Sequence, residues 1–315
     1  MKKVRSRSLA NKKQQKKFPW QQRKEEADDP QANKRIDDIL KSPSYIIAEE
    51  DEEFLQGHSA LGIRLELDYQ KAELLLQAHG IEHTVVVFGG TRIVEKQKAV
   101  RDLNGAQKTV KEDPGSGKKI QGLESAQRKI ENSRYYDVAR AFGSLIGLTG
   151  KGPKDSRVTL MTGGGPGIME AANRGAFDVG AESIGLNISL PHEQFPNPYV
   201  TPELCFRFHY FATRKFHFLL RTKAIVVFPG GFGTVDELFE VLTLIQTKKI
   251  EPMPVILMGK EFWDKFINLE YLEDESLIDE EDLDLFRYCE EAQEALDAIQ
   301  AWYKDHDEVL FKTGG

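Results

Sequence analysis

Residues able to do chemistry gather most densely between Ala224 and Glu240, AIVVFPGGFGTVDELFE. Gly230, Gly231 and Gly233 follow Pro229, so the backbone there can turn tightly and meet a ligand with no Cβ in the way. A glycine turn that opens a helix leaves free N–H groups aimed at one spot, backed by the positive end of the helix dipole. Such a spot suits a phosphate. The same residues have a structural reading. Thr234-Val235-Asp236-Glu237 fits a T-x-x-E capping box, in which Thr234 bonds the N3 amide and Glu237 reaches back to the cap. Arg214 and Lys215 form a second group, near the start of a helix expected over Thr213 to Leu220. Cations sit poorly at that end of a helix. An anionic ligand would explain them, and so would a salt bridge to a nearby acid.

The elements that position these residues follow from the apolar pattern. Buried-strand runs occur at Thr84–Phe88, Val158–Met161, Ser183–Leu190, Ala224–Phe228 and Pro254–Met258. Helical spacing is read over 62–79, 135–148, 171–180, 213–220, the stretch after Gly233, 262–269 and 289–303. At least five strands alternating with helices predict an α/β protein: a Rossmann-like three-layer sandwich with a mainly parallel sheet. Ligands of such sheets bind at the carboxyl ends of strands, near a switch in strand order. Three strands end in glycine, at Gly89, Gly163 and Gly230, and are expected to face one crevice. Thr91 and Arg92 follow the first of these turns, although Arg92 also reads as a plain surface arginine. Phe206 to Phe211 reads as an aromatic strand or turn, and the acid-rich stretch from Glu273 to Asp284 as cover for a sheet edge.

Composition sets the bounds. The chain has 315 residues, 40% apolar and 30% charged, enough for one large domain or two small ones. Residues 1–55 read as a mobile, charge-blocked tail, either solvated or a contact arm for an acidic partner. Residues 56–315 read as the folded domain. Within it 93–133 is an inserted helical excursion broken at Pro114-Gly115-Ser116-Gly117, and Gly150 to Pro153 ends the helix that follows. The loop from His192 to Pro202 is too rich in proline for an element. A net charge of −7 gives no indication of specific nucleic-acid binding. Cys205 and Cys289 are too few for a disulfide framework and suggest no metal site. No apolar run is long enough to span a membrane, and the basic start has no apolar core for a secretory signal, so a cytoplasmic protein is expected.

GGGPGIMEAANRG (163–175), ATRK (212–215) and PGGFGTVDE (229–237) together resemble the Lonely Guy family, cytokinin riboside monophosphate phosphoribohydrolases long mislabelled as lysine decarboxylases. The likeness runs from about Thr84 to Met258. It implies hydrolysis of the N-glycosidic bond of a nucleoside 5′-monophosphate, with Arg214 and Glu237 as the catalytic pair. It further implies a substrate site drawing on Gly89, Thr91, Arg92, Gly164, Met169, Lys215, Gly230, Gly231, Gly233 and Thr234. No cofactor or metal is implied, and a homodimer or higher homo-oligomer is. The family often has Met-His before Glu-Arg-Lys; here Phe211-Ala212-Thr213 precede the pair, which leaves the base open. A carboxylate beside the ribosyl ring is what an oxocarbenium-like state needs. Glu237, at a helix start, is expected to stay ionised, with Arg214 holding it in place or touching the nucleotide. A nucleotide-binding sensor or cofactor carrier of the same Rossmann-like superfamily is the alternative, and it has no need of both residues. Amino-acid decarboxylation fits poorly, for want of a pyridoxal-phosphate lysine context.

Overall fold

The structure is a computed structural model and describes residues 18–149, 158–191 and 195–306. The chain divides into two compact units between Arg64 and Leu65, later than the 55/56 boundary read from composition. In the first unit, residues 18–64 carry α1 (Ala32–Leu40) and α2 (Glu52–Gln56). Asp51 caps α2 by accepting the Phe54 N–H at 2.9 Å, and Arg64 donates to the Gly57 carbonyl at 2.7 Å. The basic run up to Lys17 lies outside the described residues. So do Gly150 to Pro153 and the loop residues His192 to Gln194.

α3 (Leu61–Ala78) carries the chain into the second unit. There follow β1 (Thr84–Phe88), α4 (Lys96–Glu112), α5 (Gly117–Gly147), β2 (Thr159–Thr162), α6 (Ile168–Asp178), β3 (Ser183–Ile188) and β4 (Cys205–Phe208). After these come α7 (Phe211–Leu219), β5 (Thr222–Val227), α8 (Phe232–Gln246), β6 (Val255–Met258), α9 (Lys260–Phe266), α10 (Leu269–Asp274), β7 (Phe286–Cys289) and α11 (Ala292–Asp305). The seven strands form one parallel sheet in the order β4-β3-β2-β1-β5-β6-β7. The chain therefore winds outward from β1 to β4, returns to β5 on the other side of β1, and winds outward again. That return is the switch in strand order, where the carboxyl ends of β1 and β5 leave a crevice.

Strand side chains alternate between two apolar clusters. Val85 and Val87 join Phe142, Ala172 and Ile299 from α5, α6 and α11. Val86 and Phe88 join Leu76, Phe218, Leu238 and Trp263 from α3, α7, α8 and α9. Helices on both faces of a buried sheet make the expected three layers. Among the described residues no helix is long and apolar enough to cross a membrane.

Three elements differ from the sequence reading. The second arm of the 93–133 excursion does not stop before Tyr135. It is the first half of α5, which runs unbroken from Gly117 to Gly147 because no proline interrupts it. α4 and α5 thus form a hairpin turning at the Pro114–Ser116 break. The helix expected from Cys289 starts at Ala292, behind a capping box of Glu291 and Glu294, and Phe286–Cys289 is the edge strand β7. The acid-rich segment runs over α8, where Gln246 donates to Asp282 at 2.6 Å, and the sheet edge is β7 itself.

Candidate active site

Close approach dictates the turn between β5 and α8. A Cβ on Gly230 would stand 2.2 Å from Thr234 Oγ1, so only glycine lets α8 begin so near the strand end. A Cβ on Gly231 or Gly233 would meet nothing within 4 Å. Those two glycines face open space, the room a bound group would need. Gly231 is the residue before α8, and no side chain caps the helix. Thr234 and Glu237 lie inside α8, and the Thr234 N–H bonds the Gly231 carbonyl at 3.0 Å. The capping box is therefore not formed, and the first amides of α8 stay available to an anion.

Glu237 is only 7% exposed. Burial pushes its carboxyl up to about 7; the positive charges of Arg214 and Lys215 work against that rise, and Glu240 and Asp236 add to it. The expectation of a fully ionised Glu237 is thus corrected: inside the helix it is desolvated, and near neutral pH it exists in both forms. Among the described residues Glu237 has no hydrogen-bond or ion-pair partner, and the positive charge of Arg214 acts on it without a direct pair.

Arg214 enters from α7. Its Nε donates to the Leu186 carbonyl at 2.8 Å, and its guanidinium lies over the Phe218 ring at 5.1 Å. A Cβ on Gly163 would stand 2.6 Å from Arg214 Nη2, so the second glycine turn is what makes room for this arginine. Burial pulls the guanidinium below its ordinary value, with Glu237 opposing. α7 itself is anchored by Asp68 of α3, which accepts the His209 N–H at 2.9 Å, the Tyr210 N–H at 3.1 Å and the Thr213 hydroxyl.

Lys215 points elsewhere. Its Nζ pairs with Asp236 at 2.8 Å and Glu240 at 3.1 Å on α8. Burial alone would lower this ammonium, but those hydrogen bonds outweigh it and raise it. Of the two sequence readings for Lys215, the salt bridge is the one observed.

The strand-end loops are stitched together by backbone. The Gly90 N–H donates to the Pro229 carbonyl at 2.9 Å, and the Ile168 N–H to the Gly90 carbonyl at 3.2 Å. Gly163, which lies against Arg214 and Met169, Gly164 and the Gly230 turn thereby stand at the ends of neighbouring strands. Gly89 serves packing, since a Cβ there would strike Ile168. Thr91 and Arg92 stand exposed on the loop after β1.

Sequence reasoning missed the polar network beneath the second turn. Thr162 donates to Asn173 Oδ1 at 2.7 Å and accepts the Gly164 N–H at 2.9 Å. Asn197 donates to the Gly165 carbonyl at 3.1 Å and to Asn173 Oδ1 at 3.0 Å. Asn187 lies against Gly164, and its Oδ1 is buried with no partner among the described residues. Asn173 stands within the GGGPGIMEAANRG stretch, yet nothing in the spacing pairs it with Asn197. Among the described residues no group of three His, Cys, Asp or Glu side chains is placed to hold a metal ion.

The family described as possible lysine decarboxylase matches residues 169–299. The pyrimidine/purine nucleotide 5′-monophosphate nucleosidases of Escherichia coli K12 and O157:H7 are each 32% identical over 151 residues, covering 43% of this chain. The chain spans 30% of the length of these curated relatives. Among solved structures, the molybdenum cofactor binding protein of Rippkaea orientalis matches 70% of this chain and 97% of its own, at 16% identity and a TM-score of 0.42. The family match, which includes the Arg214-Lys215 and PGGFGTVDE segments, spans less than half of this chain.

Proposed function

We propose that this chain hydrolyses the N-glycosidic bond of a nucleoside 5′-monophosphate, releasing free base and ribose 5-phosphate. One observation carries the reading: Glu237 is a buried carboxyl lifted to about 7, within the field of Arg214, at the crevice where the glycine turns meet. Perturbed carboxyls in clefts are candidates for acid–base and electrostatic roles. The names of the nucleosidase relatives support the same reaction class.

In this reading the uncapped start of α8 takes the phosphate through its free amides and the Thr234 hydroxyl. The C1′–N bond breaks with its electron pair leaving on the base, and the oxygen of water adds to C1′. Ionised Glu237 stabilises the positive charge that develops on the ribosyl ring and accepts the proton of that water. The departing base nitrogen takes a proton from solvent. Arg214, fixed by the Leu186 carbonyl, favours the ionised form of Glu237.

We also read the chain as a homodimer. Support comes from a groove of about 730 Å³ beside α7 and α8, where Phe216, Leu219, Leu220, Ile250 and Met253 stand among charged Lys215, Lys223, Glu240, Lys249 and Glu251. Phe216 is 53% exposed there.

The test is incubation of the purified chain with AMP, GMP, CMP and UMP, with chromatography for free base and ribose 5-phosphate. The expected result is free base from at least one monophosphate and much less from the matching nucleoside. Binding without release of base by the wild-type chain would sink the hydrolase and leave the sensor or carrier.

A further inference from the structure

A polar cavity of about 680 Å³ lies among α4, α5 and α6, and Arg214, Glu237 and the strand-end glycines are not among its lining residues. Four cations line it: Lys96 and Arg101 from α4, Arg140 from α5 and Arg174 from α6. Only two carboxylates, Glu95 and Asp137, line it with them. Its volume falls in the range of small-molecule sites, roughly 300–1,000 Å³.

Two of the cations are held in place. Arg174 Nη1 meets Glu95 at 3.0 Å and lies at 5.2 Å over the Tyr199 ring. It also bonds the hydroxyl of buried Tyr136, which in turn donates to Glu170 at 2.9 Å. Arg140 Nε meets Asp178 at 2.5 Å. The other two, Lys96 and Arg101, are exposed and have no ion-pair partner among the described residues. Lys96 is the first residue of α4, a 17-residue helix with no side-chain cap, where a cation opposes the helix dipole. The cavity thus carries four cations against two carboxylates, in a chain whose net charge is −7. A local excess of positive charge in a concave site attracts anions, and fixed guanidinium forks match phosphate oxygens.

We propose that this cavity is a second ligand site, for a small molecule bearing two or more phosphate groups. Arg140 and Arg174 offer preset forks, while Lys96 and Arg101 supply the charge that the protein leaves unneutralised. More than one phosphate is called for because the free cations lie on α4 and the preset ones on α5 and α6.

The test is calorimetric titration of the full-length chain with inorganic tripolyphosphate at low salt. The variants are Arg101→Glu, Lys96→Glu and, as a control in the crevice, Thr234→Val. Arg101 and Lys96 are exposed, so the variants should fold, and a thermal melt checks that. The expected result is a site, apart from any uptake at the start of α8, that is weakened at least about tenfold by either charge reversal and changed less than about twofold by Thr234→Val. Orthophosphate should bind at least about tenfold more weakly. The proposal is overturned if the wild type takes up no tripolyphosphate, or if Arg101→Glu binds within twofold of it. Equal weakening by Thr234→Val, or equal affinity for orthophosphate, overturns it as well. The readout is binding, so its failure leaves the hydrolase reading standing, and loss of the hydrolase reading leaves it standing.

Discussion

Glu237 is where burial and chemistry pull in opposite directions. If its ionised form stabilises the ribosyl cation, Glu237→Gln should lower kcat by roughly 10²-fold or more, on the order of 3 kcal/mol. Steady-state kinetics on the folded variant measures this, and a near-normal kcat ends the catalytic assignment. The wild-type kcat/KM should fall about tenfold per pH unit below 7, since the carboxyl is pushed up to about 7. A profile flat from pH 8 to 5 would contradict a role for the carboxylate. Stability should move the other way. The folded carboxyl titrates near 7 and the unfolded one near its ordinary 4.5. As pH rises between these values the unfolded chain releases its proton first, so the stability present at low pH is lost, by up to about 3 kcal/mol at pH 8. Gln carries no charge and escapes that loss. Glu237→Gln should therefore melt above the wild type at pH 8, with the gap closing toward pH 5. Thermal melts at the two pH values check the sign. A residue that costs stability and supports turnover is what a site under functional constraint is expected to hold.

At the scale of elements, the start of α8 separates a structural glycine from one proposed to face the phosphate. Gly230→Ala drives a methyl into Thr234 and should destabilise the fold. Gly231→Ala meets open space with a φ of −99°, which alanine adopts freely. Its melting temperature should stay close to that of the wild type, while KM for the monophosphate rises at least about tenfold because the methyl occupies the phosphate's place. Unchanged KM would move the phosphate off this turn. This turn was the most legible part of the chain, because proline, glycine and a β-branched run constrain the backbone locally. The five apolar strands were legible for the same reason, and Arg214 was legible as a cation at a helix start. What the sequence hid depends on tertiary contact. The four residues of β7 are too short for a period to emerge, and α5 looked like two elements because its first half is polar. Asp68 reaches α7 across more than 140 positions, and Asn173 meets Asn197 across 24. The capping box failed because α8 begins earlier than the T-x-x-E spacing implies, which also moved Glu237 from a solvated cap to a buried helix position.

At the scale of the whole molecule, the question is which part of the chain the site needs. Among the described residues, every member of the two apolar clusters lies at or beyond Ala72. So do the seven strands and the crevice, with Asp68 the earliest residue to bear on Arg214. Among the described residues, 18–50 supply no member of either cluster, and the charge-blocked composition of 1–50 offers little apolar surface to bury. Asp51, which caps α2, and the whole of α3 remain when those residues are removed. A chain beginning at Asp51 should unfold in one cooperative transition and retain kcat and KM within about twofold, since no group proposed to touch the nucleotide is lost. Calorimetry and steady-state kinetics on the truncated chain decide the matter. If the truncated protein folds cooperatively but kcat falls tenfold, the first fifty residues bear on the active assembly, and the site cannot be described from the second unit alone.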